Sequence, residues 1–444
     1  MRIDLAYGTD GTSLDVPDAN LVAVVRPEWP DHLPRPQAAV AVALAEPVDG
    51  QPLASVVAER LAARRAHAVG KGGRAGWAGR VVVLVSDATR PCPNREILLP
   101  LLRALRQAGA PPEAVTILIA TGLHGPVVGE AAERVLGREV VAACRVVNHF
   151  GHRPTTLCYL GETEAGTPVH LCRAWVDADV RIATGVVEPH LSAGFSGGRK
   201  AVCPGVAGAE TVLAFHGPRF IENDRTRPGT LEGNPTHEEA LAVARFAPPH
   251  FTINATVDRA KRLTGVFAGS MEGAHAAAIG HLRKHVARPV PEAADVVVTT
   301  SGGRPLDATF YGAEKGLLPA MAVLKPGGTF LWAAALEDGV GSPAFTDLVD
   351  RFDSIEAFLA AALTPGAEIV RDQWALHHFS KAARHGRVLL WSDRMDRRRQ
   401  ADLFVEPVDS LEAGLARAMA AHGPDARVIV LPYGPYVLPY VAKG

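Results

Sequence analysis

Short aliphatic runs without polar alternation recur through the first part of the chain. They occupy residues 81–85, 115–120 and 180–184. A strand that is apolar on both faces is typical of a parallel sheet that helices cover on its two sides. Between the first two runs, residues 94–108 carry apolar side chains at helical spacing, and Gly109 suits the C-cap of that helix. The pattern therefore predicts strands that alternate with helices.

A second set of elements begins near residue 295. Strands are predicted at residues 295–299 and 329–334, with a helix at residues 313–324 between them. The prolines of residues 285–293 precede the first of these strands and mark a domain boundary. We interpret the glycine- and alanine-rich residues 66–79 as a surface loop.

The alternation predicts an α/β fold with two α/β domains and mostly parallel sheets. A chain of 444 residues is too long for one compact core, and we place the domains at residues 1–288 and 289–444. Ligands of such sheets bind beyond the carboxyl ends of the strands. We therefore expect the active site in the cleft between the domains, with the cofactor on the first of them.

The composition excludes several classes of protein. A hydrophobic fraction of 48% and a charged fraction of 21% are those of an ordinary globular protein. The net charge of -1 gives no field that would attract nucleic acid or an anionic membrane. No apolar run approaches the roughly 18 residues of a membrane span, and no signal peptide is evident, so we expect a cytoplasmic protein. Five cysteines without CxxC spacing argue against a disulfide framework or a structural zinc site.

Polar clusters follow three of the predicted strands. They are SDATRP at residues 86–91, TGLHG at residues 121–125, and the stretch at residues 185–200. Alone, Asp87 could be a helix N-cap and His124 an ordinary loop histidine. Because a shared sheet edge would bring the clusters together, we expect one site with two imidazoles for proton transfer, His124 and His190. Arg90 suits a carboxylate there, and Lys200 adds a cation or a nucleophilic amine.

The third cluster contains a glycine-rich turn that ends at Lys200. Glycine lets backbone approach a ligand closely because no Cβ stands in the way. A P-loop needs Gly-Lys-Ser/Thr, whereas Lys200 here follows Arg199 and precedes Ala201. The glycine spacing also differs from that of a dinucleotide fingerprint. The turn is therefore predicted to hold a ligand other than a nucleoside triphosphate.

The segments SDATRP, TGLHG and EPHLSAGFSGGRKAVCPG, in this order, resemble the motifs of the lactate racemase family. The resemblance extends to GGRPLDATFYGAEKG at residues 302–316 and to RDQW at residues 371–374. The family comprises 2-hydroxyacid racemases and epimerases that use a nickel-pincer nucleotide. The resemblance implies that cofactor here, together with the enzymes that synthesise it as partners and a small 2-hydroxyacid as substrate.

The resemblance also implies roles for single residues. Lys200 would hold the cofactor covalently, and His216 would be the protein ligand to nickel, completing a square-planar site of soft donors and one imidazole. Further cofactor contacts are expected from Asp87, Ser192, Gly197, Gly198 and Trp374. Asp87 would alternatively orient Arg90.

His124 and His190 would be the acid/base pair of the family. One imidazole takes the hydroxyl proton while hydride leaves C2 for the cofactor, and the planar oxoacid regains hydride on its other face. Arg90 and Lys315 would bind the substrate carboxylate or the ketone oxygen, and Tyr311 would line the pocket. Tyr311 and Trp374 suit two core aromatics equally well.

Gly312 is a departure from the family pattern. Family members that act on lactate tend to have glutamine three residues before the lysine that corresponds to Lys315. We interpret the missing side chain as space beside the substrate, so we expect a 2-hydroxyacid larger than lactate. The alternatives are a 2-hydroxyacid oxidoreductase and a non-catalytic carboxylate-binding homologue. The oxidoreductase would need an external electron acceptor, and the sequence has no dinucleotide fingerprint to serve one. The non-catalytic homologue would have little use for Lys200, His124 and His190 together.

Overall fold

A computed structural model describes residues 1–70, 80–90 and 92–442 of the chain. The strands are β1 Arg2–Leu5, β2 Thr12–Asp15, β3 Leu21–Val24, β4 Val81–Ser86, β5 Val115–Ala120, β6 Arg145–Asn148, β7 Leu157–Glu162, β8 Pro168–Cys172, β9 Val180–Val186, β10 Pro189–His190, β11 Gly194–Phe195, β12 Phe251–Val257, β13 Leu263–Gly269, β14 Ala287–Val290, β15 Ala294–Thr300, β16 Leu324–Ala333, β17 Arg387–Trp391, β18 Glu406–Pro407, β19 Val428–Leu431 and β20 Leu438–Val441.

The helices alternate with these strands along most of the chain. They are α1 Pro36–Ala45, α2 Leu53–Gly70, α3 Asn94–Gln107, α4 Glu130–Leu136, α5 Arg138–Ala143, α6 Arg173–Val176, α7 Ala209–Phe215, α8 Pro218–Ile221, α9 Pro235–Ala244, α10 Met271–Val286, α11 Phe310–Ala313, α12 Leu317–Ala320, α13 Pro343–Asp350, α14 Ile355–Ala362, α15 Gln373–His385, α16 Arg397–Ala401 and α17 Leu411–His422. Among these described helices, none is both long and apolar enough to cross a membrane.

Twelve of the strands form two six-stranded sheets, which confirms the predicted α/β fold. The first sheet has the order β13-β12-β9-β4-β5-β6 and is parallel except for β13. The second has the order β18-β17-β16-β15-β19-β3 and is parallel throughout. Helices cover both faces of each sheet. In β4, for example, Val83 belongs to the core on one face and Leu84 to the core on the other, and both are fully buried.

The N-terminal segment differs from the predicted domain of residues 1–288. β3 pairs in parallel with β19 at the edge of the second sheet. The β1–β2 hairpin buries Leu5 in the same core as Leu331. At the predicted boundary, β14 pairs with β20 near the end of the chain. Local periodicity predicts a strand but not the sheet that it joins, because that choice depends on long-range packing.

Two local predictions need correction. A helix at residues 313–324 was expected, but α11 and α12 are separated by a 3-10 turn at Glu314–Gly316. A Cβ on Gly316 would lie 2.5 Å from the carbonyl oxygen of Thr300, so this glycine allows close packing of the turn on β15. Residues 66–79 were expected to form a loop, but α2 continues to Gly70. The remainder of that stretch, residues 71–79, lies outside the described residues.

Two buried histidines fix the segment that carries the glycine-rich turn. His149 Nε2 contacts the carbonyl oxygen of Ala207 at 2.8 Å, and His275 Nε2 contacts that of Ser196 at 2.8 Å. Burial lowers the pKa of His149 to about 4. Burial and the nearby charge of Arg199 lower the pKa of His275 to about 3. Both rings are therefore neutral anchors at physiological pH.

These histidines predict that the protein loses stability in mild acid. The unfolded chain binds protons at histidine below pH ~6.5, whereas His149 and His275 in the folded chain bind them only near pH 4 and pH 3. Since the unfolded state binds more protons, the free energy of unfolding falls as the pH drops from about 6.5 to about 4, by at most about 1.4 kcal/mol per pH unit for each histidine.

Urea unfolding across this pH range measures the slope. The variant His149→Gln removes one of the titrating groups and should flatten the dependence. A free energy of unfolding that is independent of pH between 6.5 and 4 would contradict the assignment of neutral anchors.

Candidate active site

Three neighbouring strands bring the polar clusters together. β4 lies between β5 and β9 and is parallel to both, so their carboxyl ends share one edge of the first sheet. The clusters that follow these strands carry Asp87, Arg90, His124 and His190. The expected juxtaposition is therefore present. Pro91, which ends the first cluster, lies outside the described residues.

Asp87 is bonded to His124. Its Oδ2 lies 2.7 Å from Nδ1 of His124, and its Oδ1 accepts hydrogen bonds from the amide and hydroxyl of Thr89 at 3.1 and 2.6 Å. Burial alone raises the pKa of the Asp87 carboxyl, but the bonds from His124 and Thr89 outweigh it and hold the pKa below its ordinary value. An ionised carboxylate at Nδ1 fixes the proton there and leaves Nε2 of His124 as a proton acceptor. Asp87 thus orients His124 rather than Arg90.

His190 is held by backbone instead of a carboxylate. It lies on the β10–β11 hairpin, where it pairs with Gly194. The amides of Ser192 and Ala193 donate to its Nδ1 at 3.3 and 3.2 Å. The proton of the neutral ring is therefore on Nε2. Burial lowers the pKa of His190 well below its ordinary value, and the charges of Lys200 and Arg90 lower it further.

Two glycines of the turn are required by its backbone conformation and by its packing. Gly197 and Gly198 have φ values of +79° and +53°, which strain other residues. A Cβ on Gly197 would lie 2.6 Å from the side chain of Val187, and one on Gly198 would lie 2.7 Å from the ring of His275. The space is filled by protein and not left for a ligand. Both glycines are needed for the packing and backbone conformation of the turn, and contact of their backbone with the cofactor stays a prediction.

Lys200 is a buried lysine without a counter-ion. It is 8% exposed, and its amine has no hydrogen-bond or ionic partner in the described part of the chain. Burial lowers the pKa of Lys200 well below its ordinary value, with further lowering from Arg90 and Arg199. The neutral amine is nucleophilic, whereas an ammonium is not. The turn therefore presents Lys200 in a reactive form.

Arg90 is the common electrostatic neighbour of the site. Its positive charge lowers the pKa of His190, Lys200, His216 and Lys315. Within residues 1–70, 80–90 and 92–442, no carboxylate forms an ion pair with its guanidinium. An unpaired guanidinium among like charges is a strong site for an anion, because a carboxylate can bind it in a bidentate manner.

His216 ends α7 and faces the second sheet. Its Nδ1 donates to the carbonyl oxygen of Val212 at 2.8 Å, which leaves Nε2 without a described partner. Its ring lies 4.6 Å from that of Trp374, at an interplanar angle of 32°. Trp374 in turn donates to the hydroxyl of Tyr311 at 3.1 Å. Burial and the charge of Lys200 lower the pKa of His216 to about 3, so the lone pair of Nε2 is not protonated at neutral pH.

The second sheet contributes Tyr311 and Lys315 after β15. Lys315 Nζ lies 5.9 Å from the centre of the Tyr311 ring. Burial lowers the pKa of Lys315, while the neighbouring Glu314 opposes that shift. Burial raises the pKa of Tyr311, and Asp372 raises it further. Arg90 acts on both groups, so the site contains residues from both α/β units, as the expected interdomain location requires.

Gly312 does not leave empty space beside the substrate. A Cβ at this position would lie 2.5 Å from the carbonyl oxygen of Leu306 and 3.4 Å from Oγ1 of Thr309. The direction of a side chain is therefore blocked by backbone of the same loop. The inference from Gly312 to a larger pocket fails for this reason, and a glutamine introduced here would first displace the loop.

Sequence reasoning did not identify Arg199, whose hydrogen bonds hold the turn in place. It is 1% exposed and donates to the carbonyl oxygens of Ala193 and Phe195 at 2.7 and 3.0 Å. Asn254 adds a bond to the amide of Gly198 at 2.9 Å. The only sequence signal was a second cation beside Lys200. Ser192 was expected to contact the cofactor. Its amide and hydroxyl lie 3.3 and 3.5 Å from Nδ1 of His190, and its carbonyl oxygen accepts from Nδ2 of Asn234 at 2.7 Å.

Both parts of the chain match known proteins. The family model of the lactate racemase N-terminal domain matches residues 73–229, and that of the lactate racemase C-terminal domain matches residues 290–438. A lactate racemase of Lactiplantibacillus plantarum is 34% identical over 355 residues, which cover 80% of this chain and 83% of that protein. One from Thermoanaerobacterium thermosaccharolyticum is 31% identical over 359 residues, covering 81% and 84%.

Solved structures give the same result. The lactate racemase apoprotein from Thermoanaerobacterium thermosaccharolyticum matches with a TM-score of 0.89 at 28% identity, covering 99% of this chain and 100% of that one. A Thermotoga maritima protein, 18% identical with a TM-score of 0.63, shares the fold over 87% and 98% of the two chains. The two α/β units and the site between them therefore define an enzyme of the racemase class. The chain belongs to the lactate racemase family.

The contact between Asp87 and His124 predicts the effect of Asp87→Asn. The amide keeps the shape but no longer fixes the proton on Nδ1 of His124, so we expect racemisation to slow by about a hundredfold or more. Turnover measures the rate, and nitrogen NMR of the ring reports the tautomer. Asp10→Asn is the matched control, because Asp10 is 75% exposed and pairs with Arg394. An Asp87→Asn variant with normal turnover would contradict the role.

Proposed function

We propose that this protein inverts C2 of a 2-hydroxyacid, with a nickel-pincer nucleotide attached to Lys200 as its cofactor. The observation that carries the proposal is the set of groups around Arg90. It combines an unpaired guanidinium, two imidazoles with free Nε2 positions and a buried amine without a counter-ion. The lactate racemase relatives support the reaction class. Enzymes that synthesise the cofactor are the partners that this proposal requires.

The residues present fit the cofactor. A neutral amine is needed to bond an acyl-type carbon, and the buried Lys200 supplies one. His216 offers Nε2 to a metal, with its tautomer set by Val212 and its ring plane held against Trp374. Within the described ranges, no three His, Cys, Asp or Glu side chains are grouped as metal ligands. Nickel here would therefore take one donor from His216 and the others from the bound nucleotide.

When bound, this cofactor supplies a reversible hydride acceptor, which an alcohol carbon requires because its C–H bond is not acidic. Side chains of this protein transfer the protons. Nε2 of His124 accepts the hydroxyl proton of one enantiomer, since Asp87 holds the other proton on Nδ1. Nε2–H of His190 donates a hydrogen bond to the substrate oxygen on the opposite face. Because a neutral imidazole does not give up its N–H proton, His190 must first take up a proton from solvent at Nδ1, which requires the amides of Ser192 and Ala193 to release that atom. The imidazolium then transfers its Nε2 proton to the oxygen and returns to the neutral ring, while the proton accepted by His124 is released to solvent.

Arg90 and Lys315 position the substrate. The carboxylate of a 2-hydroxyacid neutralises the positive field that Arg90 creates at His190 and Lys200, so binding is favoured where no protein carboxylate competes. Lys315 approaches from the second α/β unit beside Tyr311. A substrate that bridges the two cations is thereby oriented with C2 between the imidazoles. A substrate larger than lactate is part of this proposal, and it depends on residues other than Gly312.

Cofactor attachment gives a direct test. Protein produced together with the enzymes that make the cofactor should carry an adduct in its intact mass, and peptide mapping should place it on Lys200. Lys200→Ala should lose both the adduct and nickel, because the bond-forming amine is absent. An adduct that survives this change would refute the attachment.

Two matched variants separate attachment from the other roles. Lys315→Ala should keep the adduct and lose activity, since it removes a substrate contact. His216→Ala should keep the adduct and lower the nickel content, since it removes one donor of four. Full nickel in the His216 variant would contradict its role as a ligand.

The acid/base pair gives a kinetic test. His124→Ala and His190→Ala should each reduce C2 inversion by at least about a hundredfold, the usual contribution of a positioned proton-transfer group. Chiral chromatography of enantiopure 2-hydroxyacids measures the rate, and retention of a deuterium label at C2 reports hydride transfer. His32→Ala is the control, because His32 is exposed and has no described partner. Label loss to solvent would exclude the mechanism.

A further inference from the structure

His378 is a buried histidine with no partner. It is 1% exposed, and within the described part of the chain neither of its ring nitrogens makes a hydrogen bond. Leaving a buried polar atom unpaired costs about 1–3 kcal/mol. Such groups are rare in folded proteins, and each needs a physical explanation. A bound ligand can complete these hydrogen bonds only if the unpaired group lies next to a binding site.

His378 lies next to the site described above. It follows Trp374 by one turn of α15, so both side chains project from the same face of the helix. The ring of Trp374 stacks on that of His216. α15 also packs on the Glu314–Gly316 turn that carries Lys315. The face of α15 that carries His378 is thus directed at the proposed cofactor and substrate groups.

The electrostatic surroundings of His378 identify the kind of group that it can bind. Burial lowers its pKa well below the ordinary value, and the cationic groups of Lys381 and Lys315 lower it further. The ring is therefore neutral, with one nitrogen a donor and the other an acceptor. A hydroxyl group both donates and accepts and can pair with either nitrogen, whereas a carboxylate can pair only with the N–H.

Hydrogen bonds to a neighbouring segment hold α15 in its position. Lys381 donates to the carbonyl oxygens of Ile221, Asn223 and Thr226 at 2.9, 2.9 and 3.0 Å. His377 contacts Glu222 at 3.0 Å. These bonds tie α15 to the segment that follows His216. The unpaired nitrogens of His378 are thus a fixed feature of the site.

Glu314, which precedes Lys315 in the same turn, also has an unpaired polar atom. It is 2% exposed, and its Oε2 has no partner among the described residues. Burial raises the pKa of its carboxyl, which favours the neutral form, a donor as well as an acceptor. The lysine that we assign to the substrate therefore has a second buried group suited to a hydroxyl next to it in the chain.

We propose that His378 binds a hydroxyl group of the substrate beyond C2, so that the enzyme selects polyhydroxylated 2-hydroxyacids over lactate. This inference rests on the proposed function for the position of the substrate. Glu314 offers a second hydroxyl-binding group from the turn that carries Lys315. His378 is a specificity residue, since C2, the carboxylate and the transferred protons are handled by other groups.

The first experiment needs no cofactor. D-gluconate should raise the unfolding midpoint of the cofactor-free protein more than L-lactate does at equal concentration, because it binds the folded state more tightly. In His378→Phe this difference should disappear, while the midpoint without ligand should rise or stay constant, since an unpaired buried ring is replaced by an apolar one. His378→Leu repeats the test with a smaller side chain should phenylalanine not fit.

Two further variants separate binding from a structural role. His378→Gln keeps a donor and an acceptor and should restore part of the preference for gluconate. His377→Phe should lower the midpoint without ligand, because it leaves Glu222 with fewer partners, and should keep that preference. An equal effect of gluconate on the parent protein and on both apolar variants at position 378 would overturn the inference, as would no effect of gluconate on the parent protein.

Turnover distinguishes this inference from the proposed function. In the cofactor-loaded enzyme, His378→Phe should lower the ratio of kcat/KM for D-gluconate to that for lactate by about tenfold, the loss of roughly one hydrogen bond. A ratio unchanged by the substitution contradicts the role of His378 and leaves the racemase proposal intact. Absence of C2 inversion for every 2-hydroxyacid tested refutes the proposed function, and the midpoint measurements then still decide whether His378 binds a polyol.

Discussion

Unpaired positive charge, buried between two α/β units, is the constraint on which this site depends. Arg90 acts on both Lys200 and Lys315, all three act on His190, and in the described residues none of the three forms an ion pair with a carboxylate. Repulsion and burial together favour a neutral amine at Lys200 and a neutral ring at His190. The same field attracts a carboxylate. Reactivity of the amine and affinity for an acid therefore have one electrostatic origin.

Such an arrangement is costly, and the rest of the fold compensates for it. Arg199, His275 and Asn254 hold the glycine-rich turn by bonds to its backbone, so that repulsion cannot push Lys200 out. On the other side, Lys381 binds α15 to the segment after His216. Each unit buries both faces of its sheet in apolar side chains, which provides the stability that the polar site lacks.

Several features followed from the sequence because they depend on local chemistry. Runs that are apolar on both faces predicted β4, β5 and β9, and polar residues directly after them predicted one shared edge. Inferences from a missing side chain were less successful. Gly312 was interpreted as room for a larger substrate, whereas in the structure the carbonyl oxygen of Leu306 occupies the space of its Cβ. A sequence shows that a side chain is absent but not what fills its place.

The sequence alone thus determined the α/β class, the strands β4, β5 and β9 of the first sheet and the motifs that match the lactate racemase family. Tertiary structure decided which groups meet. It assigned the first residues to the second sheet, bonded Asp87 to His124, stacked Trp374 on His216 and left His378 unpaired. The contacts made by β3, Asp87 and Trp374 each join residues far apart in the chain. Periodicity and motif spacing report on neighbours within an element, and they carry no information about the partner that long-range packing brings to a side chain.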